Sequence, residues 1–130
     1  MGDTFGSSTR GVLTMLTEEL GGTHVIQLIG ELDGASARDV EDELFRIERI
    51  DGARTVLDLR SLDFIDSTGL AVIFRASCRA EENRYAFAIK IAPGPVKRVL
   101  DVCELTEVLP IVVEEVPRAA SEARPNAEVR

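Results

Sequence analysis

The side chains that could do chemistry stand together in the segment from Asp66 to Gly69, which reads Asp-Ser-Thr-Gly. The segment follows a predicted buried strand over 55–59 and a predicted loop over 61–66. Asp66 and Ser67 are both favourable N-cap residues, able to accept hydrogen bonds from the free N–H groups of a first helical turn. Gly69 costs ~1 kcal/mol against Ala inside a helix, but it lets another surface approach the backbone closely. A plain helix cap with an incidental glycine is the alternative interpretation.

Signatures of catalysis are absent from the rest of the sequence. There is no G-x-S-x-G elbow, no Walker loop and no G-x-G-x-x-G fingerprint. The single histidine, His24, falls in an apolar strand, where it is poorly placed to activate a nucleophile and is interpreted as structural. Most carboxylates fall on the predicted solvent faces of helices. We therefore predict a binding protein that uses no cofactor, and not an enzyme.

The two cysteines, Cys78 and Cys103, fall on the predicted inward stripes of two helices. We expect both to be reduced thiols in the core, where cysteine behaves as a small hydrophobe. A disulfide between them is the alternative. The sequence has no C-x-x-C pair and no histidine cluster, so we predict no structural metal site.

The charge balance limits the partners. The net charge is −8, whereas nucleic-acid binding needs a basic patch, so nucleic acid is excluded as the expected partner. No apolar run approaches the ~20 residues that a membrane span requires, and the first ten residues lack the pattern of a signal peptide. We expect a cytoplasmic protein that does not insert into a membrane.

Hydrophobic periodicity predicts five strands and three main helices. A hairpin through Gly21-Gly22 joins the first two strands, and Pro110 inside the last strand implies an edge position. The first helix carries an apolar stripe of Ala37, Val40, Leu44, Ile47 and Ile50. The predicted strands are 13–17, 23–29, 55–59, 85–91 and 108–113, and the second helix covers 67–82.

This order predicts a single α/β domain over residues 11–123. Its sheet is mixed but mostly parallel, with about five strands and helices mainly on one face. We expect a disordered N-terminus over 1–10, a short final helix over 117–123 and a flexible C-terminal tail over 124–130.

Two separated motifs resemble the STAS family, named for sulfate transporters and anti-sigma factor antagonists. Members carry Asp-Ser-x-Gly-Leu after a buried strand, matched here by residues 66–70, and Gly-Glu-Leu/Ile-Asp at the end of the second strand, matched by residues 30–33. Leu109-Pro110-Ile111 near the last strand is a third match. The resemblance covers residues 12 to 123 and implies a STAS-like domain.

The resemblance to the antagonist branch of this family implies a partner switch. In that branch the unphosphorylated domain binds an anti-sigma factor that is also a serine kinase, which frees the sigma factor for transcription. The kinase then phosphorylates the serine of the Asp-Ser-x-Gly segment, and a serine phosphatase reverses the reaction. By position the acceptor here is Ser67, with Thr68 as the secondary candidate, and Asp33 is expected close to the acceptor loop.

The partner surface is predicted from the residues that the core of the second helix does not need. We expect Leu70, Ile73 and Phe74 to face inward, with Ala71 and Val72 toward solvent, because small apolar residues beside the acceptor suit a reversible interface. Harmless exposure of these residues is the alternative. The predicted partner-binding residues are Asp33, Asp66, Thr68, Gly69, Ala71, Val72 and Arg75.

Two other functions compete with the anti-sigma factor antagonist. The first is a stand-alone STAS subunit of a membrane transporter or lipid-trafficking complex. The intact serine of the Asp-Ser-x-Gly segment argues against it, because a scaffold does not need a phosphorylatable side chain. The second, a nucleotide-binding or weakly catalytic domain, ranks last because no phosphate-binding loop is visible.

Overall fold

The sheet begins with a hairpin. In the computed structural model, which describes residues 12 to 114, β1 (Leu13–Leu20) and β2 (Thr23–Leu32) pair antiparallel along all of β1. The turn is Gly21-Gly22, and both glycines have the positive φ that a tight hairpin requires. The predicted disordered N-terminus (1–10), final helix (117–123) and tail (124–130) lie outside the described residues.

Three β–α–β connections complete the domain. In chain order the elements after the hairpin are α1 (Ala37–Glu48), β3 (Arg54–Ile65), α2 (Ser67–Asn83), β4 (Phe87–Ile91), α3 (Pro95–Val102) and β5 (Ile111–Val113). The strands lie in the order β1-β2-β3-β4-β5, and every pair after the hairpin is parallel. The predicted mixed, mostly parallel five-stranded α/β domain is confirmed.

The two faces of the sheet differ in chemistry. Residues that alternate along the strands bury apolar side chains on the face covered by the helices, among them Ile26, Leu28, Leu57, Ile89 and Ile91. The intervening residues of the central strands include Gln27, Asp58, Arg60 and Lys90. This alternation is typical of a sheet with helices on one side, as predicted.

The strands extend further than the sequence predicted. The loop expected over 61–66 is wrong, because β3 continues to Ile65 beside an equally extended β2. Two register shifts between these strands accommodate the extension. The last strand is shorter than expected: Pro110 lies just before β5, which is an edge strand as Pro110 implied.

Two predicted core positions are wrong because their helices end early. Ile50 follows the end of α1 and is 40% exposed. Cys103 is the C-cap of α3 and is exposed, whereas Cys78 on α2 is half-buried. Both thiols are free, but the predicted core position of Cys103 is wrong because the residue is exposed. His24 is buried on β2, consistent with its structural interpretation.

The helices of the described chain are short or polar. Within residues 12–114 none combines the length and the apolar character needed to cross a bilayer.

Candidate functional site

The register of β2 and β3 brings the two sequence motifs together. Leu32 at the end of β2 pairs with Ile65 at the end of β3. Because these strands are parallel, Asp33 and Asp66, the next residues of each chain segment, emerge at the same edge of the sheet. Residues more than thirty positions apart therefore form one site, at the carboxyl ends of the strands where α/β folds place functional groups.

Asp66 connects the start of α2 to the β2–α1 loop. It is the N-cap of α2, and its Oδ1 accepts a hydrogen bond from the Gly69 N–H at 3.0 Å. Its Oδ2 accepts from the Gly34 N–H at 3.2 Å, and its own N–H donates to the Leu32 carbonyl at 3.2 Å. One carboxylate thus caps the helix and fixes the neighbouring β2–α1 loop.

Asp33 shapes that loop from within. Its Oδ1 accepts hydrogen bonds from the Ala35 N–H at 3.0 Å and from the Ser36 N–H at 3.3 Å, while its carbonyl accepts from the Ala37 N–H at 2.8 Å. The Ser36 hydroxyl closes the turn against the same carboxylate at 3.2 Å. Asp33 therefore positions Gly34 beside Asp66, close to the start of α2 that carries Ser67.

Ser67 and Thr68 begin α2 and are both exposed. Neither hydroxyl has a hydrogen-bond partner within residues 12–114, and neither has its backbone N–H committed to an acceptor there. Free N–H groups at a helix N-terminus and the positive end of the helix dipole both favour a negative charge. The first turn can therefore carry an anionic group on Ser67 without loss of an existing bond.

Gly69 is buried against the core and not available to a partner, which corrects its predicted role. A Cβ built on it would lie 2.8 Å from Leu32 Cγ and 3.0 Å from Ile65 Cγ1. The close approach that the glycine permits is therefore made by the chain's own strand ends. This contact seats the first turn of α2 on the sheet beside Ser67.

The exposed side of α2 also differs from the prediction. Val72 is 2% exposed and packs in the core, whereas Phe74, predicted to face inward, is 42% exposed. The error arises because residues 70–74 are apolar on all sides, so their periodicity cannot set the phase of the helix. The small residues Gly69, Ala76 and Ala80 carry that signal, since they mark the side in closest contact with the sheet.

With this phase, four residues form one surface, which we call the acceptor face: Ser67, Thr68, Ala71 and Phe74. At 100° per residue they span about a third of the helix circumference, opposite the buried side. Ser67, Thr68 and Phe74 are exposed and Ala71 is half-buried. Phe74 is the residue of this face that sequence reasoning missed.

Arg75 borders the acceptor face but is not free. Its Nε and Nη2 donate to the two carboxylate oxygens of Glu41 on α1, both at 3.0 Å. One turn on, Arg79 makes the same bidentate contact with Glu48 at 2.8 Å and stacks over the Phe45 ring at 4.2 Å. The Arg75 hydrogen bonds lower the pKa of Glu41. This pair of bridges fixes α2 against α1.

A matching ion pair stabilises β3 on the opposite face of the sheet. Asp58 is 7% exposed, and its Oδ1 accepts from the Arg60 N–H at 3.1 Å and Nε at 2.9 Å, while Oδ2 accepts from Nη2 at 2.9 Å. Burial raises the pKa of Asp58, but the Arg60 hydrogen bonds outweigh burial, so the net pKa is lowered. The pair lies where β3 shifts register against β2 and holds the extension that carries Ile65 to the site.

Comparison with known proteins agrees with this geometry. The family model of the STAS domain matches residues 14–117. An anti-sigma F factor antagonist of Paenibacillus polymyxa is 32% identical over 96 residues, which make up 73% of this chain and 82% of that protein.

Two solved structures share the fold. An anti-sigma factor antagonist from Mycobacterium paratuberculosis superimposes with a TM-score of 0.66 at 20% identity, covering 77% of this chain and 85% of that one. The Bacillus cell fate determinant SpoIIAA in its phosphorylated form gives a TM-score of 0.62 at 18% identity, covering 87% of this chain and 100% of that one. With the family model spanning most of its length and the two motifs joined at one edge of the sheet, the chain belongs to the STAS domain family.

Proposed function

We propose that this protein is an anti-sigma factor antagonist and not an enzyme. In its unphosphorylated form it binds an anti-sigma factor that is also a serine kinase, and phosphorylation of Ser67 releases it. The observation that carries the proposal is the exposed Ser67 hydroxyl at the start of α2, which has no hydrogen-bond partner among residues 12–114 and is flanked by the capping carboxylate of Asp66. Similarity to the Paenibacillus antagonist supports the class of partner.

The chemistry of the switch follows from the charges at this edge. A phosphate on Ser67 adds about −1.5 to −2 charge at pH 7. The free N–H groups and the dipole of α2 stabilise this charge, so the fold persists. A partner packed on the acceptor face meets a bulky dianion beside Asp66, in a protein whose net charge is already −8. The switch is therefore electrostatic and steric, and not a refolding of the domain.

The acceptor face supplies the contacts of the unphosphorylated complex. Phe74 offers an exposed aromatic ring within two helical turns of Ser67, and phenylalanine is among the residues enriched in protein–protein interfaces. Ala71 between them lets a partner approach the helix closely. Because Ser67 lies inside this face, the same contact that forms the complex presents the hydroxyl to the kinase.

Phosphorylation of the purified chain tests the assignment. The partner is first identified by co-purification with the wild-type chain from its native cells and is then incubated with wild type, Ser67→Ala or Thr68→Ala in the presence of ATP. We expect wild type and Thr68→Ala to be phosphorylated and Ser67→Ala to remain unlabelled. Equal labelling of wild type and Ser67→Ala would refute the acceptor and move attention to Thr68.

The identity of the co-purified protein separates this function from its main competitor. A kinase-like anti-sigma factor supports the antagonist. Recovery of a membrane transporter or lipid-trafficking subunit instead, with no phosphate on Ser67, would identify the chain as a scaffold of that complex.

A further inference from the structure

A cleft lies at the amino ends of β3 and β4, the opposite ends of these strands from Ser67. Its volume is about 580 Å³, and it is bounded by the connection between α1 and β3 and by the segment that leads from the end of α2 into β4. Small-molecule sites commonly measure about 300–1,000 Å³. The size of this cleft therefore suits a small ligand, and the ends of β3 and β4 that flank it are the ends remote from the acceptor face.

Positive charge is concentrated in this cleft. Arg49, Arg54 and Arg84 line it, and none of them forms an ion pair among residues 12–114. Arg54 donates to two uncharged acceptors, the Gly21 carbonyl at 2.9 Å and the Thr23 hydroxyl at 3.0 Å. Arg79, the fourth arginine of the lining, is paired with Glu48. Asp51 is then the remaining acidic residue of the lining.

Helix dipoles give a simpler explanation of these arginines, because α1 and α2 both end here and cations are favourable at helix C-termini. This attraction leaves the guanidinium N–H groups unoccupied, because backbone donors already satisfy terminal carbonyls of both helices. The Ile47 carbonyl accepts from the Ile50 N–H and the Ala80 carbonyl from the Tyr85 N–H, both at 2.9 Å. No hydrogen bond joins the side chain of Arg49 or Arg84 to a helix carbonyl in the described part of the chain, so their guanidinium groups stay available.

The remaining lining gives the cleft an apolar wall. Ile50 is 40% exposed although it is a large aliphatic residue, and it lines the cleft together with Ala53 and Tyr85. The Tyr85 hydroxyl is held by a hydrogen bond to the Thr55 hydroxyl, which fixes the ring. A charged end and an apolar body of one ligand would both find matching surfaces here.

We propose that this cleft binds a small molecule that carries a phosphate group, with Arg49, Arg54 and Arg84 as the anion-binding residues. Guanidinium groups match phosphate oxygens in planar, bidentate geometry. Binding here uses side chains, which is consistent with the absence of a glycine-rich phosphate loop from the sequence. The site is separate from Ser67, so its ligand does not compete for the acceptor face.

An NMR titration of the full chain, monitored through the backbone amide chemical shifts, tests the proposal. The probes are AMP, ribose 5-phosphate and inorganic phosphate, with adenosine as the uncharged control. At least one phosphate probe is expected to bind at millimolar concentration and to shift the amides of Gly52 and Tyr85, whereas adenosine leaves them unchanged. Absence of binding by every phosphate probe, equal binding by adenosine, or shifts confined to residues near Ser67 would each overturn the proposal.

A pair of double variants separates a site from general charge. Arg49→Gln/Arg84→Asn removes two cleft arginines, and Asn tolerates the positive φ of 55° at position 84. Arg38→Gln/Arg98→Gln removes the same charge from exposed positions outside the cleft. The cleft variant should weaken binding of the phosphate probes about tenfold or more, because the loss of one charge-assisted hydrogen bond alone lowers the affinity about tenfold. The matched variant should leave the affinity unchanged. Equal weakening by both pairs would overturn the site.

Discussion

The Asp66 carboxylate accepts a hydrogen bond from the Gly34 N–H at 3.2 Å, which links the start of α2 to the β2–α1 loop. The same carboxylate caps α2 through Gly69 at 3.0 Å. Ser67, the first residue of α2, therefore belongs to a segment that is fixed to the neighbouring loop before any partner binds. A preformed surface loses little conformational entropy on binding, which favours a rapid, reversible exchange of partners.

Replacement of Gly69 tests the packing that seats this helix start. In Gly69→Ala the new Cβ meets Leu32 and Ile65 at 2.8–3.0 Å. Overpacking of this kind costs about 1–3 kcal/mol, of which the better helix propensity of Ala offsets ~1 kcal/mol. Urea unfolding should show a lower midpoint with an unchanged slope.

Gly34→Ala is the matched control for this prediction. Its Cβ would lie 3.8 Å from the Thr68 hydroxyl, an ordinary contact, so its free energy of unfolding should stay near wild type. If Gly69→Ala were as stable as wild type, the close contact with Leu32 would be wrong.

Acid should destabilise the domain through Asp58. The pKa of this carboxyl is below its ordinary value of 3.8 because the Arg60 hydrogen bonds outweigh burial. The stabilisation is therefore complete above pH 3.8 and is lost as pH falls through the lower, folded-state pKa. Asp58→Asn should lower the free energy of unfolding by about 1–3 kcal/mol at pH 7, and the difference from wild type should shrink in acid.

The control for Asp58 is Asp63→Asn, an exposed aspartate on the same strand. The free energy of unfolding is measured by chemical denaturation at pH 7 and in acid for wild type and both variants. At pH 7 the Asp63→Asn variant should unfold with nearly the same free energy as wild type. A stability difference between Asp58→Asn and wild type that stayed constant down to the acid transition would contradict the assigned pKa shift.

The two cysteines should differ in reactivity. Cys103 is exposed at the end of α3 and Cys78 is half-buried on α2, and access limits the rate at which a thiol reacts. A colorimetric thiol reagent should give a fast and a slower phase in the native protein. Cys103→Ser should remove the fast phase, and Cys78→Ser the slower one; two equally slow thiols would contradict the exposed position of Cys103.

Local patterning was sufficient for the architecture. Apolar alternation and helical stripes predicted every described element, because each element has one buried side. The proximity of Asp33 to the segment that carries Ser67 was expected only from the family resemblance. Its physical cause, the pairing of Leu32 with Ile65, depends on two register shifts between β2 and β3 that no local pattern encodes.

The acceptor face was harder to predict for a related reason. Residues 70–74 are apolar on every side of the helix, so Val72 and Phe74 could exchange places without any change in hydrophobic pattern. Contact of Gly69 with the ends of β2 and β3 decides the phase. Helix termini gave the other errors: Ile50 and Cys103 continue the apolar stripes but lie just beyond the last helical turn.

The central claim is that a negative charge at position 67 releases the partner. Calorimetric titration of the purified anti-sigma partner with wild type, Ser67→Ala and Ser67→Asp measures the effect of this charge on binding directly. The melting temperatures of the three proteins should lie within a few degrees of one another, since an acidic side chain at a helix N-terminus is neutral or stabilises the helix by ~0.3–1 kcal/mol.

Ser67→Ala should bind close to wild type, because only a hydroxyl is lost, whereas Ser67→Asp should bind about a hundredfold or more weakly, at about 1.4 kcal/mol per decade. If Ser67→Asp bound the partner as tightly as wild type, or lost binding only because it had unfolded, the electrostatic switch would be wrong.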